Sequence, residues 1–426
     1  MSAGLRIYRL ATHLAAPAAG VLLWARLNRA KEDPNRVDER RGLAGIARPK
    51  GPLIWLHGAS VGEAVSLLEL VDRLQGRGFA VLVTTGTVTS ARLLAQRLPA
   101  GAVHQFVPLD VPRYVGAFLD HWRPDLAAFV ESELWPNLIV ETARRGVPLA
   151  LVNARMSERS RDRWMRAKKV IAELLGRFSL VLAQSQGDAL RLAELGAGDV
   201  RLLGNLKYDS PPLPVDAAEL SRLSGAMSGR QIWIAASTHR GEEIVAARAH
   251  RKIAQTFPDL LTLIAPRHPD RAEEIVAALA AEGSACVRRS QGGTPGNGDS
   301  IWLCDTIGEL GLFYRLAGVV FVGKTLTGRG GQNPIEPAKL ACAILHGPAT
   351  TNFADVFARL DASGGAALVR DEAELTAALH RLFDDPARAR SAARAAAADV
   401  AKESGAADRV AEALTTLAAA HEDKER

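Results

Sequence analysis

The 426-residue sequence predicts an α/β protein of two doubly wound, Rossmann-like domains. Three observations predict it. Short apolar runs of strand length recur along the chain. Amphipathic stretches of helical spacing lie between many of them. The rhythm stops once, at a proline-rich segment, and then restarts. Runs buried on both faces and joined by helices imply a parallel sheet. A chain this long also exceeds what one hydrophobic core usually fills.

The N-terminus comes first. Leu10–Ala25 is almost wholly apolar, with Arg6 and Arg9 before it and Arg26, Arg29, Lys31, Arg36, Arg40 and Arg41 after it. It is short for a spanning helix and contains His13 and Pro17. The basic flank resists export. Residues 1–30 are therefore expected to form a membrane anchor or an interfacial helix, with the rest on the cytoplasmic side. A helix packed on the protein's own core is the alternative.

Expected strands of the first domain (31–210) are Leu53–His57, Ala80–Thr84, Val103–Val107, Leu126–Val130, Pro148–Val152, Ser179–Ala183 and Val200–Leu203. Ser210–Asp216 has three prolines in five residues and cannot continue a helix or a central strand. The linker is placed at 211–218. The second domain (219–426) is expected to hold strands Ile232–Ala236, Leu261–Ala265, Ala285–Arg288, Ile301–Cys304, Val319–Val322, Ala343–His346 and Ala367–Val369. Its Ala- and Arg-rich tail reads as terminal helices.

Composition narrows the function. The net charge of +6 favours anionic partners. Aromatic residues are only 5%, and no basic run is interleaved with them, which argues against nucleic acid. Cys286, Cys304 and Cys342 share no metal-ligand spacing and read as free thiols of a reducing compartment.

Ligands of doubly wound sheets sit beyond the carboxyl ends of the strands, so polar residues there are the candidates. HGASVGE (57–63) follows the first strand. Glu63 is either a base for an acceptor hydroxyl or a complement to the helix dipole. ESELWP (131–136) follows the fourth. Its close carboxylates raise one another's proton affinity. Capping by Ser132 and Glu133 accounts for Glu133 and leaves Glu131 for function. Lys207, in GNLKYD, is a possible partner for phosphate or carboxylate, or simply exposed. In APRHP (265–269), Arg267 lies in a loop stiffened by prolines and suits a phosphate. At Asp305–Leu310, backbone N–H groups of Ile307, Gly308 and Glu309 can meet an anion, the Glu309 carboxylate can accept a hydroxyl, or the segment is a helix cap. The glycine-rich loop 323–337 leads to Asn333-Pro334-Ile335-Glu336, where Glu336 can accept from two ribose hydroxyls.

In this order LHGASVGE, ESELWPNL, LVNARMSERS, GNLKYD, IAASTHRGEE, APRHPDR, DTIGELGLFYRLAG and GGQNPIEPA resemble the Kdo transferases of lipid A assembly. The resemblance implies a GT-B glycosyltransferase with two domains facing a cleft, inverting and without a metal or other cofactor. CMP-Kdo would be the donor (Kdo is 3-deoxy-D-manno-octulosonic acid). A tetra-acylated lipid A precursor would be the acceptor, and an anionic inner-membrane surface a partner. By the same resemblance Glu63 is the proton acceptor, and Glu131 and Lys207 steady the transition state. Pro266, Arg267, Ile307, Gly308, Glu309, Asn333, Pro334, Ile335 and Glu336 hold CMP. Lys324 stands where a small residue is expected, and Gln332 where His is frequent.

Three other readings stand beside it. One is a GT-B transferase using another nucleotide sugar or acceptor. Another is a nicotinamide oxidoreductase, disfavoured by the lack of GxGxxG with a following acid. The third is a non-catalytic membrane adaptor.

Overall fold

The computed structural model describes residues 1–328 and 330–425. It divides into two compact units, 1–210 with 403–426, and 211–402. Each is built on one seven-stranded, wholly parallel sheet.

The strands of the first unit are β1 (Leu53–His57), β2 (Ala80–Thr85), β3 (Val103–Phe106), β4 (Leu126–Val130), β5 (Leu149–Ala154), β6 (Leu180–Ala183) and β7 (Val200–Leu202), in the order β3-β2-β1-β4-β5-β6-β7. The second unit has β8 (Ile232–Thr238), β9 (Leu261–Pro266), β10 (Val287–Arg288), β11 (Ile301–Leu303), β12 (Val319–Val322), β13 (Ala343–His346) and β14 (Ala366–Leu368), in the order β10-β11-β9-β8-β12-β13-β14. Every expected strand is present to within one or two residues at its ends. Each central strand is buried along its length, because helices cover both faces of its sheet.

In the first sheet Leu53, Trp55, Ala127 and Phe129 pack against helices Pro112–Trp122, Pro136–Arg144 and Lys168–Leu175. Ile54, Leu56, Ala128 and Val130 face helix Val61–Gln75 and the last helix, Ala406–Glu425.

That last contact corrects the expected boundary. The terminal residues 403–425 do not stay with the second unit. Ala406, Ala407, Val410, Ala411, Leu414 and Ala418 complete the core of the first. The Asp209 carboxylate fixes the start of this helix, accepting the N–H of Gly405 at 2.5 Å and of Ala407 at 2.7 Å. At the linker, helix Ala217–Ala226 begins inside the expected 211–218, capped by Asp216.

The N-terminal segment also differs from expectation. It is two short helices, Ala3–Leu14 and Ala16–Leu27, bent by 65° at Ala15. Pro17 sits in the first turn of the second helix, where its missing N–H costs nothing. No single helix among the described residues is long and apolar enough to cross a membrane. Leu5, Ala16, Ala19 and Leu23 are buried. Ile7, Leu10, Leu14, Val21, Leu22 and Trp24 are each more than half exposed.

Candidate functional site

Both sheets reverse their strand order beside the first strand of the unit, between β1 and β4 and between β8 and β12. Such switch points open a crevice at the carboxyl ends of the strands. The candidate residues cluster there, in two groups.

The first group begins at Ser60, which caps helix Val61–Gln75 by accepting the Glu63 N–H at 3.3 Å. The Glu63 side chain turns back and accepts from the Ser60 hydroxyl at 2.6 Å and the Ala59 N–H at 2.8 Å. This is a capping box. It holds the carboxylate at the end of β1 rather than along the helix. Burial raises the proton affinity of Glu63, and the charges of Glu131 and Glu133 add to it, against the two hydrogen bonds. Helix capping and a raised proton affinity are thus one arrangement.

Glu131 follows β4 at φ +54°, a left-handed conformation side chains rarely adopt. The Lys207 ammonium donates to its carboxylate at 2.5 Å. Lys207 lies on the short turn Leu206–Tyr208. Asn153, at φ +51° near the end of β5, accepts the Leu206 N–H at 3.0 Å, and Asn205 accepts the Lys207 N–H at 3.0 Å. Polar side chains therefore build the turn that delivers the lysine.

Glu133 is not the helix cap that its position suggested. Helix Pro136–Arg144 has no cap from its own segment. Asp110 supplies one from a distant loop, accepting the N–H of Asn137 at 3.1 Å and of Leu138 at 2.9 Å. Glu133 instead lies 3.7 Å from His57 Nε2 and accepts the Trp135 indole N–H at 2.5 Å. Burial works to raise its pKa, yet His57 and Trp135 hold it below the ordinary carboxylate range. Glu63, Glu131, Glu133, Lys207 and His57 form one acidic cluster with a single lysine.

The second group surrounds the ends of β8, β9, β11 and β12. Arg267 is exposed just after Pro266, the last residue of β9, and its N–H bonds the Thr238 carbonyl at 3.1 Å. The His239 and His268 rings lie 5.8 Å apart, nearly perpendicular, and Gln332 Nε2 is 3.1 Å from His239 Nε2. Gly308 has φ +90°, and Ile307 is 79% exposed. The Glu309 carboxylate is engaged by Arg289 at 2.6 and 3.1 Å and by the Thr306 hydroxyl at 2.5 Å. Both carboxylate oxygens of Glu309 are thus already engaged within the protein. Asn333 accepts the Ile335 N–H at 3.0 Å, starting the five-residue helix that carries Glu336.

Glu242 organises this group. Its buried carboxylate accepts the N–H of His239 at 2.9 Å, Lys324 at 2.7 Å, Thr325 at 3.0 Å and Leu326 at 3.0 Å. Lys324 is held at φ +62° by this contact. Gly323 precedes it because a Cβ there would meet the Ser237 carbonyl at 2.4 Å. Replacing Glu242 by Ala frees the loop. The KM for a ligand seated on this loop should rise about tenfold, the equivalent of one charged hydrogen bond of roughly 1.5 kcal/mol. Steady-state kinetics would show it, with Glu242→Gln falling between.

Among the described residues no three His, Cys, Asp or Glu side chains converge as metal ligands.

Residues 35–210 match the family described as 3-deoxy-D-manno-octulosonic-acid transferase (kdotransferase). The 3-deoxy-D-manno-octulosonic acid transferase of Rickettsia bellii is 35% identical over 89% of this chain and 91% of its own length. That of Bordetella pertussis is 36% identical over 96% and 99%. The chain belongs to the 3-deoxy-D-manno-octulosonic acid transferase family. It is a glycosyltransferase of Kdo. The fold agrees: a glycosyltransferase structure from Rickettsia africae, 12% identical, superposes over 86% of this chain and 99% of its own with a TM-score of 0.61. The transferase thus has two parallel-sheet domains of GT-B type.

In this Kdo transferase the structure brings Glu63, Glu131 and Lys207, all singled out from the sequence, into one cluster. Sequence reasoning missed Glu133 as a site group and passed over His57, His239 and Glu242. The position of Glu133 two residues after Glu131 was the only signal for it. Glu242 looks like any acid in a first helical turn.

Proposed function

We propose that the chain transfers Kdo from CMP-Kdo to a sugar hydroxyl of a tetra-acylated lipid A precursor, with inversion. The observation that carries this reading is Glu63, its proton affinity raised, beside the Glu131–Lys207 pair in a Kdo transferase chain. The Glu63 carboxylate takes the proton of the acceptor hydroxyl. The oxygen attacks the anomeric carbon of Kdo, the bond from that carbon to the phosphate oxygen breaks, and CMP leaves with the electron pair. Lys207, oriented by Glu131, offsets negative charge on the reacting sugar. Arg267, the N–H groups at Ile307–Glu309 and the segment Asn333–Glu336 suit the phosphate and ribose of CMP. Fixed dipoles and cations support departure of CMP, already a good leaving group, and the reading assigns no cofactor.

The exposed face of the two N-terminal helices, with exposed Arg6, Arg29 and Lys31 nearby, supports docking on the anionic cytoplasmic face of an inner membrane. Co-sedimentation with phosphatidylglycerol vesicles should fall in Leu10→Glu/Leu14→Glu and weaken with salt. Equal binding to phosphatidylcholine vesicles would count against this placement.

The test of the reaction is incubation with CMP-Kdo and a tetra-acylated lipid A precursor, followed by mass spectrometry of the lipid. A gain of one or more Kdo units is expected. Transfer from UDP- or GDP-sugars in place of CMP-Kdo would overturn the donor assignment.

A further inference from the structure

A cavity of about 450 Å³ opens in the first unit beside the acidic cluster. Its lining includes Leu5, Tyr8, Leu134, Trp135, Trp164 and Val170. That volume falls in the range of small-ligand pockets, roughly 300–1,000 Å³. Gly4 also lines it, and a Cβ there would meet Val170 Cγ2 at 2.6 Å, so glycine lets the N-terminal helix close against this wall.

The polar groups on the lining have partners within the protein. The Tyr8 hydroxyl donates to Asp110 at 2.9 Å, the Ser132 hydroxyl to the Arg155 carbonyl at 2.7 Å, and Glu133 accepts the Trp135 indole. What remains to face a ligand is mainly hydrocarbon and indole surface. Two further observations say what kind of ligand. Glu133 belongs both to the lining and to the group that raises the proton affinity of Glu63, so the cavity adjoins the acceptor base. Trp164 and Val170 are flanked by Arg159, Arg163, Arg166, Lys168 and Lys169, all exposed and in no ion pair with a described residue. A molecule that satisfies all three has a hydrocarbon chain, an anionic headgroup and a hydroxyl within reach of Glu63.

We propose that this cavity seats one acyl chain of the lipid acceptor, with a headgroup phosphate against the basic segment 159–169. The proposal rests on the lipid-acceptor reading above. It makes Trp164 and Val170 determinants of acceptor specificity, not catalytic residues.

The test compares a tetra-acylated phosphorylated disaccharide with its fully deacylated form, using wild type, Val170→Phe, which fills the cavity, and Trp164→Ala, which removes a wall. Each methylene seated in an apolar site is worth about fourfold in affinity. Both variants should raise KM for the acylated acceptor about tenfold or more. Their kcat, their KM for CMP-Kdo and their activity on the deacylated acceptor should not change. Equal effects on both acceptors, or none on either, would overturn the proposal. A binding arm without donor keeps it separate from the reaction. An acceptor brominated on its acyl chains should quench tryptophan fluorescence in wild type and much less in Val170→Phe. Quenching without Kdo transfer would leave the cavity assignment standing and sink the proposed reaction. Transfer with quenching unaltered in Val170→Phe would do the reverse.

Discussion

Glu63→Gln should lower kcat for Kdo transfer about 10²- to 10⁴-fold, the range of a lost general base. Gln keeps the size of the side chain and can still accept the N–H of Ala59, so the start of helix Val61–Gln75 should survive. It cannot accept the proton of an acceptor hydroxyl. The KM for CMP-Kdo should stay near wild type, because the residues proposed to hold the donor lie on the other unit. Rapid-quench transfer assays together with CMP titrations would separate the two effects. A loss of CMP binding equal to the loss of rate would assign Glu63 a structural role instead.

Lys207→Ala should be the next most damaging change, lowering kcat by about 10²- to 10³-fold. Two effects add. The cation that offsets charge on the reacting sugar is gone. Glu131 also loses its 2.5 Å partner and is left beside Glu63 and Glu133. Without the lysine's positive charge nearby, Glu63 holds its proton more tightly, so the remaining activity should move to higher pH. Lys207→Arg keeps the charge and should recover part of the rate. Equal damage from Arg and Ala would mean that the geometry of the ammonium, rather than its charge, is what matters.

Why the strands were legible is plain from Ile232–Thr238 or Val319–Val322. A parallel strand covered on both faces must be apolar at consecutive positions, and few other elements are. Glu131 stood out for the complementary reason: a carboxylate directly after such a run has no packing role. Glu63, in a first helical turn, was left open between a base and a complement to the helix dipole, and only the resemblance gave it a role. Other features have no local signature. The last helix is Ala-rich, and Ala says nothing about which sheet the helix will cover. Its docking depends on Asp209, nearly two hundred residues earlier. Glu242 serves a loop more than eighty residues away. Glu133 resembled a cap because Asp110, the true cap of helix Pro136–Arg144, is remote in sequence. The bend at Ala15 had a visible cause in Pro17, yet apolar composition alone read as one segment.

The pH dependence of kcat/KM for the acceptor tests the central claim most directly. Glu63 acts as a base only when ionised, and burial with two neighbouring carboxylates raises its pKa. Transfer should therefore fall on acidification with a midpoint above the ordinary glutamate value of about 4.3. Glu133→Gln removes one of those charges and should shift the midpoint down, and Glu63→Gln should abolish this limb. An acid limb that persists unchanged in Glu63→Gln would show that another group takes the proton.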